Sequence, residues 1–175
     1  MLKIIGLVIV ILVAGVLLHA ANKPDSFRVE RSASIQAPPE RIFSLINDLR
    51  AFNTWNPFEK KDPNLKGRYS GPSNGRGAGY AFDGNKDVGK GSIEILESSS
   101  PSRVTMRLSM VEPFEVQNTV EFRLVPNGGA TKVTWAMQGP APYLAKIIHV
   151  FIDMDRMVGK DFEAGLASLK ALAEK

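Results

Sequence analysis

The sequence predicts an α+β helix-grip domain, a curved antiparallel sheet wrapped around a long C-terminal helix, preceded by one N-terminal transmembrane helix. Three observations carry this reading. An apolar run fills Ile4–Leu18, apolar residues recur with period two between residues 80 and 137, and they recur at three-to-four spacing from Tyr143 to Lys175. The order of strand, helix, many strands and long helix satisfies every apolar face once the sheet closes over the last helix.

The first element, Ile4–Leu18, is fifteen residues without a polar side chain. Extended to Ala21 it spans about 27 Å as a helix, just enough for the hydrocarbon core of a bilayer. Residues 4–21 are therefore expected to contact a membrane, with the protein located there as a single-pass N-terminal anchor. A signal sequence stays open beside it, because Lys3 supplies a short basic start and His19-Ala20-Ala21 resembles a small-residue cleavage site. Lys3 on one flank and Lys23, Arg28 and Arg31 on the other leave the side of the membrane unassigned. The expected organisation is residues 1–21 as anchor, 22–26 as linker and 27–175 as the folded domain.

Within that domain, Phe27 to Ala37 alternates well enough for a strand. Ala37-Pro38-Pro39-Glu40 then opens a helix, since proline suits the first turn and Glu40 complements the N-terminal dipole. Ile42, Phe43, Ile46 and Leu49 extend it for about three turns. Ala51 to Lys66 reads as irregular. Tyr80 and Phe82 then share a face, followed by Asp83-Gly84-Asn85 as a turn, Ile93 and Ile95, and Val104, Met106, Leu108 and Met110. Val116, Asn118, Val120, Phe122 and Leu124 alternate with polar residues, and Pro126-Asn127-Gly128-Gly129 signals a hairpin into Val133, Trp135 and Met137. After Gly139-Pro140-Ala141-Pro142, one helix of about 30 residues is expected, with Gly159 and Gly165 marking close packing or a bend.

Composition excludes several functions. With no cysteine, a disulfide framework, a thiol nucleophile and cysteine-ligated metals are ruled out. Two histidines make a multi-histidine metal site untenable within one chain. The net charge of +4 includes Lys3, so residues 22–175 carry 21 basic and 18 acidic groups, or +3, in a mixed distribution. No concentrated basic face points to nucleic acid. Gly75-Arg76-Gly77-Ala78-Gly79 lacks the strand, helix and Lys-Ser/Thr context of a phosphate loop, and reads as a turn.

Several stretches resemble a known family. They are Phe27–Phe43 (FRVERSASIQAPPERIF), Trp55-Asn56-Pro57-Phe58, Gly77–Asn85 (GAGYAFDGN), Val88–Gly91 (VGKG), Thr131–Gly139 (TKVTWAMQG) and Met157–Lys170 (MVGKDFEAGLASLK). Together they resemble the START-like SRPBCC superfamily, in its polyketide cyclase/dehydrase-type branch, over nearly all of residues 27–174. The resemblance implies a helix-grip fold around a deep hydrophobic cavity, shared by lipid carriers, aromatic-polyketide cyclases, hormone receptors and chaperone co-factors, and implies no single reaction.

Candidate binding residues follow from the inward faces. Tyr80, Phe82, Met106, Trp135, Phe151 and Met154 supply flat rings and flexible thioethers suited to an apolar ligand, against the plainer reading of core packing. Asn118 is the sharper anomaly, since a carboxamide inside an apolar face needs a partner, whether backbone, water or ligand. Trp55 is expected to gate the cavity mouth or pack the irregular segment. His149 and Asp153, four apart, have no Ser or Cys nucleophile in a motif beside them. The sequence thus assigns no catalytic residue, cofactor or metal. The expected function is a membrane-anchored domain that binds or carries a hydrophobic small molecule, lipid-like or aromatic. The alternative is a polyketide cyclase/dehydrase-like enzyme using Tyr80 or Asn118 to polarise a carbonyl, without a general base on any inward face. A protein-interaction module is a third.

Overall fold

A computed structural model describes residues 2–175. The chain begins with helix α1 (Leu2–Ala21), whose stretch Lys3–Ala21 is long and apolar enough to cross a membrane. Only 6% of that stretch is buried, so α1 is not a core helix of the domain that follows.

Strand β1 (Ser26–Ile35) leads into α2 (Pro39–Asn47) and α3 (Leu49–Trp55), then a 3-10 turn at Glu59–Lys61. Six strands follow, β2 (Lys66–Ser70), β3 (Gly79–Asp83), β4 (Lys90–Ser99), β5 (Arg103–Glu112), β6 (Val116–Asn127) and β7 (Ala130–Pro140). Helices α4 (Tyr143–Phe151) and α5 (Met154–Ala173) complete the chain. The strands form one antiparallel sheet in the order β1-β7-β6-β5-β4-β3-β2. β2 to β7 are a meander, and β1 closes it by pairing Ser26 with Pro140 through Ile35 with Thr131. The β6–β7 hairpin turns at Gly128 and Gly129, both at positive φ, which the twist of a two-residue hairpin demands.

Three expectations need correction. The helix predicted through Leu49 is two helices, because Asp48 leaves helical geometry and its Oδ1 accepts hydrogen bonds from Arg50 N (2.8 Å) and Ala51 N (3.4 Å). An N-cap carboxylate satisfies donors that a continuing helix would have used otherwise. The segment read as irregular therefore holds α3, and β2 lies just beyond it. The single C-terminal helix is also divided. Ile152 and Asp153 are extended, and Asp153 Oδ1 caps α5 by accepting from Arg156 N at 2.9 Å. His149 and Asp153 thus belong to different elements.

Helix α5 packs along β1 and is tied to it by charge-assisted bonds. The Arg31 guanidinium grips the Asp155 carboxylate with both Nη atoms (3.0 and 2.9 Å) and donates from Nε to Glu163 (2.8 Å). It lies on Gly159, where any side chain would overlap it, while Gly165 receives the Trp135 ring and Pro57. Both helix-weakening glycines are thus sites of close approach. Trp135 stacks on Phe162 at 4.1 Å between ring centroids, binding α5 to the sheet's concave face. One continuous core joins α2, α3 and α5 to that face.

Candidate ligand-binding cavity

The inward faces of the strands are not filled evenly. Beneath α2 and α3, Ile95, Val104, Met106, Phe122, Leu124 and Val133 are fully enclosed. Toward the other end of the same strands α5 lies opposite the sheet, with only the end of α3 and the 3-10 turn reaching beneath, and the period-two pattern continues with the space between unfilled. The result is a cavity of about 350 Å³. Its sheet wall is Tyr80, Phe82, Ile93, Leu108, Met110, Asn118, Val120, Trp135 and Met137. Its helix wall is Met154, Met157, Val158 and Phe162, its floor comes from α3 and the 3-10 turn, and Asp87, Val88 and Pro113 form the rim.

Of the side chains singled out from sequence, Tyr80, Phe82, Asn118, Trp135 and Met154 stand together on this wall. Three do not. Trp55 is 1% exposed and packs in the core, its Nε1 donating to Leu45 O at 2.9 Å and its ring meeting Phe52 edge-on at 4.7 Å. It is a structural core residue, not a gate. Met106 is wholly buried, two residues along β5 from the cavity-lining Leu108 and on the packed side of it. Phe151 is 72% exposed, because the break at Ile152–Asp153 ends the helical phase that placed it inside.

Two polar atoms on this wall have no partner among the described residues. Asn118 Oδ1 and Trp135 Nε1 are both buried and make no hydrogen bond. Such groups typically destabilise the protein by about 1–3 kcal/mol each unless a ligand or water satisfies them. Gly139, whose missing Cβ leaves space for the Asn118 carboxamide, shows that the backbone accommodates this side chain. A carboxamide offers both a donor and an acceptor, so it accommodates a hydroxyl, carbonyl or amide on the ligand.

A third polar feature was invisible in the sequence. Glu59, half-buried in the 3-10 turn, lines the cavity close to Tyr80. Burial raises its carboxyl pKa above the ordinary glutamate range, and the neighbouring Tyr80 hydroxyl partly opposes that. Burial, followed by the Glu59 interaction, raises the Tyr80 hydroxyl well above the usual tyrosine value. Glu59 sits in an aperiodic stretch, where spacing assigns no face, so no sequence signal reports it. It also supplies an inward-facing carboxylate, contrary to the expectation that none exists. Nearby Asn53 and Asn56 are already engaged, with Asn53 Nδ2 donating to Tyr69 Oη at 3.0 Å and Asn56 Oδ1 accepting from Phe58 N at 3.3 Å. Among the described residues, no group of three His, Asp or Glu side chains is placed to hold a metal ion.

Comparison with known proteins agrees with this architecture. The family model described as "Polyketide cyclase / dehydrase and lipid transport" matches residues 26–174. A comparison with curated proteins finds no match. Among solved structures, the chain is similar to protein CV1439 from Chromobacterium violaceum, with 17% identity, a TM-score of 0.61, and 87% of this chain and 99% of that one covered. It is also similar to major latex-like protein 151 from Panax ginseng, with 10% identity, a TM-score of 0.62, and 87% and 100% covered. Protein Ms6760 from Mycobacterium smegmatis aligns at 20% identity and a TM-score of 0.55, with 83% and 89% covered. Identities this low establish the shared fold and leave the chemistry to the cavity itself.

Proposed function

We propose that this chain, which belongs to the polyketide cyclase/dehydrase and lipid transport family, is a membrane-anchored carrier or holder of a mainly apolar small molecule. The observation that carries the reading is the cavity of about 350 Å³ whose wall includes Asn118 and Trp135, each with a buried, unpartnered polar atom, Oδ1 and Nε1. Apolar walls provide affinity, while a few fixed polar groups orient the ligand. The ligand is lipid-like or aromatic and carries at least one polar group able to bond the Asn118 carboxamide. Helix α1 retains the domain at a bilayer and so keeps membrane-dissolved ligand at a high effective concentration.

Native mass spectrometry of the full chain extracted with its membrane tests this. A bound small molecule of defined mass, lost in Asn118→Leu, supports it. An empty cavity that takes up neither phospholipids nor aromatic polyketones overturns it. Resistance of the full chain to alkaline carbonate extraction tests the anchor separately.

Glu59 and Tyr80 favour a second reading, enolisation of a ketone in the cavity. The Glu59 carboxylate would take a proton from the carbon beside the carbonyl, and the Tyr80 hydroxyl would stabilise the developing enolate oxygen. Turnover of an aromatic polyketone that falls at least 100-fold in Glu59→Gln and in Tyr80→Phe supports this activity. Turnover unchanged in both variants removes it.

A further inference from the structure

We propose that the rim of the cavity is a bilayer-docking surface, seated at the headgroup–hydrocarbon boundary of the same membrane that α1 crosses. This rests on α1 being a retained anchor. Outside α1, the exposed large apolar side chains among the described residues fall, with the exception of Val125, in two segments, 111–114 and 143–157. These are Val111 and Phe114 in the first, and Tyr143, Leu144, Phe151, Ile152 and Met157 in the second, each between 42% and 72% exposed. The same two segments supply the cavity lining residues Pro113, Met154 and Met157. Apolar exposure is thus concentrated around one opening, not scattered as on an ordinary soluble surface.

The attachment of α4 to α1 says what covers this surface. Tyr143 Oη donates to Leu17 O at 2.9 Å, and Lys23 Nζ donates to His149 O at 2.7 Å. Ala20 of α1 is completely buried against the domain, and Lys146 of α4 forms an ion pair with Asp25 just beyond the span. Leu17 lies four residues before the end of α1, about 6 Å along the helix axis. Helix α4 has nine residues, about 13 Å. The second tether, Lys23 Nζ to His149 O, holds the last turn of α4 within a lysine's reach of the residues just past α1, so α4 lies alongside the end of the span, at the headgroup layer of one leaflet. A tyrosine at that depth matches the aromatic belt of the membrane interface, and the neighbouring Leu144 offers an apolar side chain to insert.

Charges beside the apolar residues are of both signs, with Glu112, Glu115 and Asp155 against Arg156 and Lys160. Apolar insertion therefore drives docking, and a zwitterionic phospholipid surface suffices. The cavity opens onto lipid, and an apolar ligand enters without crossing bulk water.

The absence of cysteine makes the test direct. Single substitutions Phe114→Cys, Leu144→Cys and Phe151→Cys each carry an environment-sensitive fluorophore. Leu12→Cys within α1 reports insertion, and Asn127→Cys at the distal end of β6 serves as the aqueous control. The labelled full chain is reconstituted in phosphatidylcholine vesicles containing doxyl-labelled lipid. Quenching of the labels at 114, 144 and 151 by at least half, with 127 unaffected, supports docking. Quenching at 12 alone overturns docking and leaves the anchor standing. No quenching at 12 overturns the anchor, and docking with it. Energy transfer between protomers at 114 or 151 in place of lipid quenching assigns the surface to a second copy and likewise overturns the proposal.

Discussion

The two ends of the sheet interior are built from the same strands and end in opposite states. Under α2 and α3, Phe122 is fully enclosed by Phe52, Trp55 and Trp135, with ring centroids 5.0 to 6.0 Å away. Four residues back along β6, Asn118 faces a cavity with its amide oxygen unpartnered. Strand composition does not explain the contrast, since both stretches alternate apolar and polar residues. The difference lies in what covers them. Two short helices cap the first region, and one helix with methionines spans the second. Stability is therefore concentrated at one end and binding capacity at the other.

The largest expected effect comes from breaking the packed end. Phe122→Ala should destabilise the domain by about 3–5 kcal/mol, read as a lower denaturant midpoint, because the surrounding rings cannot collapse onto the void. Next is the ligand side of the comparison. Asn118→Leu should weaken ligand retention about tenfold or more, as expected for about 1–3 kcal/mol of orienting hydrogen bond, while the unfolding midpoint stays level or rises. Retention unchanged in this variant would remove Asn118 from the site. Smaller still is Met110→Ala on the cavity wall. It should lower stability by only about 1 kcal/mol, since an existing cavity grows and no new one forms.

The smallest effect is in pH dependence, where the cavity floor and the outer α5–β1 seam have opposite signs. Burial raises the Glu59 carboxyl, so the folded state holds that proton more tightly than the unfolded chain. Its contribution is greatest below the ordinary glutamate range and declines as pH rises through the raised folded value. On the outer face, the hydrogen bond from Arg31 holds the Asp155 carboxyl below the ordinary aspartate range. Its stabilisation is present above that range and is lost as pH falls through the folded value. Unfolding midpoints measured between about pH 3 and 7 should lose the decline on the rising side in Glu59→Gln. They should lose the acid limb in Asp155→Asn.

The same contrast explains what the sequence made legible. Asn118 was found because a strict period-two run, Val116 to Leu124, assigns every residue a face, and an amide there breaks the pattern. The hairpin at Gly128-Gly129 and the antiparallel meander followed from equally local signals, whereas strand β2 and the closing β1–β7 pair did not. Glu59 was missed because it follows Pro57-Phe58 in a stretch without a period. Phe151 was misplaced because the apolar spacing runs on across Asp153, although that aspartate caps a new helix and resets the phase. Trp55 was noticed for its motif, but only the fold shows its indole bonded to Leu45 in the interior.

The extended pair Ile152–Asp153 separates two sets of attachments. Helix α5 is bolted to the sheet by Arg31 and by the Trp135–Phe162 stack, while α4 is fastened to α1 at Tyr143 and His149. Between these two rods stand only two residues in extended conformation, Ile152 closing α4 by donating to Ile148 O and Asp153 opening α5, beside the thioether of Met154 at the cavity wall. The chain thus changes direction at the threshold of the cavity, where the helix held by α1 gives way to the helix held by the sheet.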